Sequence, residues 1–130
     1  MLDSRRVPHV SVTRGGGNTV EITLSHRRTD GWDIVDVHGD VDLATAPALR
    51  DQLDDLLTRG SRRILINLEG VSFMDSSGLN AIVAAMRGVR EVDGEIAVVC
   101  TNETILKILA ITGIDRLLTV HPTVERALTS

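Results

Sequence analysis

An α/β fold built on a mixed sheet is predicted by three observations in the 130-residue chain. Two neighbouring runs alternate apolar and polar residues and are divided by a turn signal, the pattern of an antiparallel hairpin. From residue 33 onward, strand-like and helix-like runs alternate, which calls for parallel strands joined by right-handed crossovers with helices packed on the sheet. The later strand-like runs are almost continuously apolar, as in strands covered on both faces. The expected architecture is an N-terminal antiparallel hairpin followed by βα crossovers, with about five strands and four helices in one domain over residues 19–130. Residues 1–18, ending in "TRGGGN", read as a flexible lead-in.

The hairpin comes first. "TVEITLSH" places Val20, Ile22 and Leu24 on one face, "RRTDG" supplies the turn, and "WDIVDVHG" alternates again through Trp32, Ile34, Val35 and Val37. In "TAPALRDQLDDLLTRG", Leu49, Leu53, Leu56 and Leu57 recur at helical spacing. Thr45 stands at the N-cap, Pro47 in the first turn and Gly60 after the last. "RRILINLEG" contributes a buried strand through Ile64, Leu65, Ile66 and Leu68. A second helix follows "DSSG", with Leu79, Ile82, Val83, Met86 and Val89 along one stripe. "EIAVVC" is another buried strand. Asn102 can cap a third helix in which Ile105, Ile108, Leu109 and Thr112 share a face before Gly113 stops it. "RLLTV" is expected as a short last strand, and "PTVERALTS" as a terminal helix begun by Pro122.

Composition narrows the function. A 42% hydrophobic and 25% charged chain is an ordinary globular one, long enough to bury a core without disulfides or metals. A net charge of −4 argues against a general nucleic-acid binder. Trp32 and Phe73 are the only aromatics, so no stacking platform for single strands exists. The lone Cys100 excludes a disulfide framework and reads as a buried hydrophobe ending a strand. No apolar run approaches the roughly 20 residues of a membrane span, and no apolar segment follows Arg5 and Arg6 to make a signal peptide. A cytoplasmic protein is expected. Gly15, Gly16 and Gly17 lack the following Gly-Lys-Ser/Thr of a phosphate loop.

In an α/β sheet the functional rim lies at the carboxyl ends of the parallel strands. Two consecutive strands deliver polar residues there: Asp40 and Asp42 after the first, Asp75, Ser76 and Ser77 after the second. Both turns should sit at one end of the sheet, forming a small acidic, hydroxyl-bearing patch. "DSSG" there has several readings. It serves as a helix cap, since Asp and Ser are leading N-cap residues and Gly78 permits close packing. A nucleophilic serine would need a base and an oxyanion hole. Of His9, His26, His38 and His121 only His38 lies near this rim, and the Gly-x-Ser-x-Gly elbow is missing. A magnesium-dependent phosphoacceptor at Asp75 would want a cation at a later strand end, yet the only lysine, Lys107, falls inside the third helix. A phosphoserine at Ser76 would stand at a helix start, where backbone N–H groups and the helix dipole favour an anion.

The residues "INLEGVSFMDSSGLNAI" strongly resemble the central motif of anti-sigma factor antagonists, bacterial members of the STAS domain family. "VHGDVDLATAPALRDQL" is similar to that family's Gly-Glu-Leu-Asp segment and first helix, and "LAITGIDRLLTVHPTVERAL" to its close. The resemblance covers about residues 19–130 and implies a STAS-like sheet. It implies a regulatory binding protein, not an enzyme, with Ser76 as the phosphorylated residue. Asp42 matches the family's acidic residue near the phosphoacceptor, Asp75 the acidic residue before the serine, and Asp40 stands where a glutamate is common. Ser77, Gly78 and Asn80 complete the expected surroundings of the phosphosite.

The partner so implied is an anti-sigma factor that is also an ATP-dependent serine kinase, with a separate phosphoserine phosphatase resetting the switch. No cofactor, metal, membrane or direct nucleic-acid partner is expected. Two alternatives remain open at the level of sequence. One is a STAS domain serving as a cytoplasmic part of an anion or lipid transport system; such domains often lack the paired serines. The other is nucleotide binding or slow hydrolysis at the acidic rim. The helix from Leu79 to Arg90 either extends the docking surface through Asn80 and Arg87 or simply packs its alanines against neighbouring helices.

Overall fold

The computed structural model describes residues 10–13 and 19–129. The chain runs through β1 (Val10–Thr13), β2 (Thr19–Thr29), β3 (Trp32–Gly39), α1 (Ala46–Thr58), β4 (Arg63–Gly70) and α2 (Ser76–Glu91). It continues through β5 (Glu95–Val99), α3 (Glu103–Thr112), a 3-10 turn at Ile114–Arg116, β6 (Thr119–His121) and α4 (Val124–Leu128). The strands lie in one sheet in chain order, antiparallel from β1 to β3 and parallel from β3 to β6.

The hairpin, the crossovers and the helices stand as the periodicities predict, except that α4 begins at Val124, capped by the Thr123 hydroxyl, rather than at Pro122. Asp30 and Gly31 both take positive φ, 53° and 82°, between the paired Thr29 and Trp32. Such a turn matches the twist of the strands it joins, which is why Asp-Gly signals a hairpin. Two further expectations are corrected. The sheet has six strands rather than about five, because Val10–Thr13, inside the segment read as a flexible lead-in, pairs with β2 from Val10↔Ile22 to Thr13↔Thr19. A four-residue strand beside a glycine run carries too few alternations to announce itself. Residues 1–9 and 14–18, the glycine run among them, lie outside the described residues. The last strand begins at Thr119 rather than Arg116: after Gly113 ends α3 in the left-handed region, at φ 79°, the chain makes one more 3-10 turn.

One face of the sheet carries the main core. Val35, Val37, Ile64, Ile66 and Val98 pack under Leu49 and Leu53 of α1, Ile82 and Val89 of α2, and Ile105 and Leu109 of α3. Burial of each such side chain stabilises the fold by about 1.5–3 kcal/mol. A Cβ on Gly88 would lie 2.5 Å from Leu57 Cδ1, so glycine there lets α1 and α2 approach closely. On the opposite face Trp32, Ile34, Leu65, Ala97 and Val99 form a smaller cluster with Ala127 of α4.

The end of the sheet where β3 and β4 begin is fastened by a polar knot. Buried Asp33 accepts a hydrogen bond from Ser61 Oγ at 2.5 Å, and His26 Nε2 lies 2.8 Å from its other oxygen. The knot ties the β2–β3 hairpin to the loop that enters β4.

Candidate functional site

Past Gly39 the β3 chain bends, at φ 114°, and runs beside the segment that follows β4. Val41 N–H donates to the Phe73 carbonyl at 2.9 Å, and Asp75 N–H donates to the Val41 carbonyl at 3.1 Å. Val41 and Met74 form an isolated parallel bridge. The two polar turns are therefore adjacent at one rim, as consecutive parallel strands require. Met74 and Val41 are buried beneath the rim, and Gly78 lies on top of them.

The three carboxylates of the expected patch are not equivalent. Asp40 is exposed and accepts a hydrogen bond from Ser72 Oγ at 3.0 Å. Asp75 is half-buried and caps α2, its Oδ1 accepting from Ser77 N–H at 2.8 Å. Asp42 is buried, only 7% exposed, and its Oδ1 accepts from the N–H groups of Ala44 and Thr45. It closes the turn into α1 and presents no charge to the surface. Thr45 occupies the N-cap position of α1, but its hydroxyl does not cap the helix. It donates to the Asp40 carbonyl at 2.7 Å and accepts from Asp42 N–H at 2.9 Å.

Ser76 is the first residue of α2 and is exposed. Among the described residues no hydrogen bond engages its hydroxyl, and the cap of α2 belongs to Asp75. Ser77 and Asn80 line a groove of about 310 Å³ between the starts of α1 and α2, opposite Leu43, Pro47 and Arg50. Gly78 is buried against Met74 and Val41, so its part is packing. His38 stacks over Gly70, and the alternation that turns Val37 into the main core places His38 on the sheet face away from α2. Among the described residues a serine–histidine pair is not assembled.

Several residues at this rim escape sequence reasoning. Leu43 and Phe73 belong to the two turns of this rim and are 79% and 50% exposed, large apolar side chains with no core to fill. Phe73, an aromatic outside any alternating run and three positions before Ser76, was the available signal. Asn102, foreseen as the cap of α3, does cap it, accepting from Thr104 and Ile105 N–H at 2.9 and 3.1 Å. It also donates to the Ser72 carbonyl at 3.5 Å, which links the end of β5 to the same rim.

A half-parallel sheet with one helix layer on its main face, and an exposed serine at the start of a helix on its rim, describe a small α/β domain of a recognisable class. The STAS domain family model matches residues 23–127, and the chain belongs to that family. It is 34% identical over 106 residues to the anti-sigma-B factor antagonist of Staphylococcus aureus, a match covering 82% of this chain and 98% of that one. It is 30% identical over 111 residues to the anti-sigma F factor antagonist of Paenibacillus polymyxa, covering 85% and 93% respectively. Among solved structures, that of an anti-sigma factor antagonist from Mycobacterium paratuberculosis superposes with a TM-score of 0.77 at 30% identity, covering 83% of this chain and 92% of that one. No helix among the described residues is long and apolar enough to cross a membrane.

Proposed function

We propose that this chain is an anti-sigma factor antagonist: its unmodified Ser76 rim binds an anti-sigma factor that is also an ATP-dependent serine kinase, and a sigma factor is thereby released. Phosphorylation of Ser76 ends the binding, and a phosphatase restores it. The protein acts by binding and is not itself an enzyme. Relatives named as antagonists of anti-sigma factors support the partner class. The observation that carries the switch is the placement of Ser76, exposed at the start of α2 and directly after the capping Asp75, on a rim that also exposes Phe73 and Leu43.

Magnitudes decide how such a switch works. A phosphate at an exposed helix N-terminus gains roughly 0.3–1 kcal/mol from the dipole, so the modified domain keeps its fold. The partner meets a different situation. About −2 charge added beside Asp75 and near Asp40, in a contact that excludes water, is left unpaired and costs several kcal/mol. Each ~1.4 kcal/mol lost weakens binding tenfold. Repulsion at the interface, rather than rearrangement of the domain, is the mechanism. The paired serines and the exposed Ser76 favour this reading over the transport-linked alternative.

Calorimetric titration of wild type, Ser76→Ala and Ser76→Asp against the cognate anti-sigma factor is the direct test. Ser76→Ala should bind as tightly as unmodified wild type and stay bound in the presence of ATP. Ser76→Asp should bind at least tenfold more weakly, with an unchanged melting temperature. Equal affinity for wild type and Ser76→Asp would overturn the proposal.

A further inference from the structure

β1 and the start of β2 stand beyond the end of β3. Ile22 is the β2 residue opposite Gly39, the last residue of β3, so Thr19, Val20 and Glu21 have no β3 partner and pair only with β1. The bend at Gly39 is the reason, because it carries the chain away from β2 and toward Met74. The whole of β1, from the Val10↔Ile22 pair to Thr13↔Thr19, therefore lies level with or beyond Gly39. The result is a two-stranded ribbon rising past the sheet by about 10 Å, at about 3.3 Å per residue. It rises at the carboxyl end of β3, the rim that carries Ser76. β1 is also the terminal strand of the sheet, so its outer main chain has no strand partner among the described residues.

The ribbon is additional to the family's match, which begins at residue 23. We propose that it is a second contact for the anti-sigma factor docked at Ser76, its outer main-chain edge receiving an extended segment of that partner. The proposal rests on the antagonist reading and extends it. Strands in a sheet are about 4.8 Å apart, so the ribbon stands two to three strand spacings, about 10–15 Å, from the Ser76 segment. A protein–protein interface covers roughly 800 Å² per partner, a patch of about 16 Å radius. A partner centred on Ser76 thus reaches the ribbon without any change in the domain. Beyond Gly39 only two strands remain, and the outer edge of β1, unpaired among the described residues, is a template for strand addition that docking completes.

The test uses the full chain and a panel of purified anti-sigma factor kinase domains from the source genome, with magnesium and ATP analogue. Val12→Pro disrupts the β1–β2 pairing, in which Val12 stands opposite Val20. Its melting temperature should stay within a few degrees of wild type, while affinity for the kinase domain that wild type binds falls about five- to tenfold. The weakening by Ser76→Asp should persist in the Val12→Pro background. Hydrogen exchange of the wild-type chain provides a readout free of any mutation: amides of residues 10–13 and 19–21 should become protected when the kinase domain is added. Unchanged affinity of Val12→Pro together with unprotected ribbon amides overturns the ribbon contact and leaves the antagonist reading standing. Binding that ignores Ser76→Asp, or no binding across the panel, overturns both.

Discussion

Asp42 and Asp75 each stand just before a helix and each hold backbone N–H groups, yet only one of them reaches the surface of the rim. Asp42 spends its carboxylate on Ala44 and Thr45 inside a buried turn, whereas Asp75 holds Ser77 with one oxygen and remains half-exposed. Capping residues of this kind are typically worth about 1 kcal/mol, so the burial of Asp42, not its chemistry, removes it from the surface charge. Gly78 shows the other residue-scale constraint. A Cβ there would lie 2.6 Å from Met74 Cγ and 2.8 Å from Val41 Cγ1, the two residues that bridge the turns. Alanine gains about 0.8–1 kcal/mol of helix propensity over glycine, while overpacking a tight site costs about 1–3 kcal/mol. Gly78→Ala should therefore be net destabilising, by about 1 kcal/mol, and should weaken partner binding as the Val41–Met74 contact spreads. Urea unfolding and calorimetric titration measure the two effects; a raised unfolding midpoint would contradict the packing argument.

At the scale of elements, the junction of β5 and α3 joins a buried thiol to a helix cap. Cys100 follows the last residue of β5 and is buried, and burial pushes its thiol pKa above the ordinary 9.0, opposed by a weaker backbone hydrogen bond at Asn102. The folded chain thus keeps this proton at pH values where the unfolded chain has lost it. The associated stability is complete below pH 9.0 and declines as the pH rises above it. Unfolding free energy measured from about pH 8 to about pH 10.5 should fall with pH in wild type and fall less steeply in Cys100→Ala. Identical slopes would show that the site is too hydrated to shift the thiol. Asn102 adds a link of a different kind, since it caps α3 and reaches Ser72, which in turn holds Asp40. The third crossover thereby braces the rim that the first two build.

For the molecule as a whole, the core and the proposed switch occupy different places. The core lies between the sheet and α1, α2 and α3, while Ser76 sits at the exposed end of the strands. Ile66, fully buried in the middle of β4, should cost about 2–5 kcal/mol when truncated to alanine, yet the folded fraction should bind the partner with wild-type affinity. Ser76→Asp should show the reverse pattern, a lost partner and an unchanged melting temperature. Thermal denaturation and titration on the two variants check the separation. A large stability loss in Ser76→Asp would mean that the rim is part of the cooperative core.

Much of this organisation is local and therefore written in the sequence. Alternation in β2 and β3, helical spacing in α1 and α2, and the polar "DSSG" between an apolar strand and an apolar helix fix the elements, the parallel order and the residue at the helix start. Periodicity reports which side of an element is buried, so it can be read one segment at a time. Only the tertiary structure decides what depends on segments distant in the chain. The pairing of Val10–Thr13 with β2, the burial of Asp42, the tie from Asn102 through Ser72 to Asp40 and the groove between α1 and α2 all arise where separate elements meet. A single residue's pattern cannot encode them, because the energy that selects them belongs to contacts formed only after the chain has closed on itself.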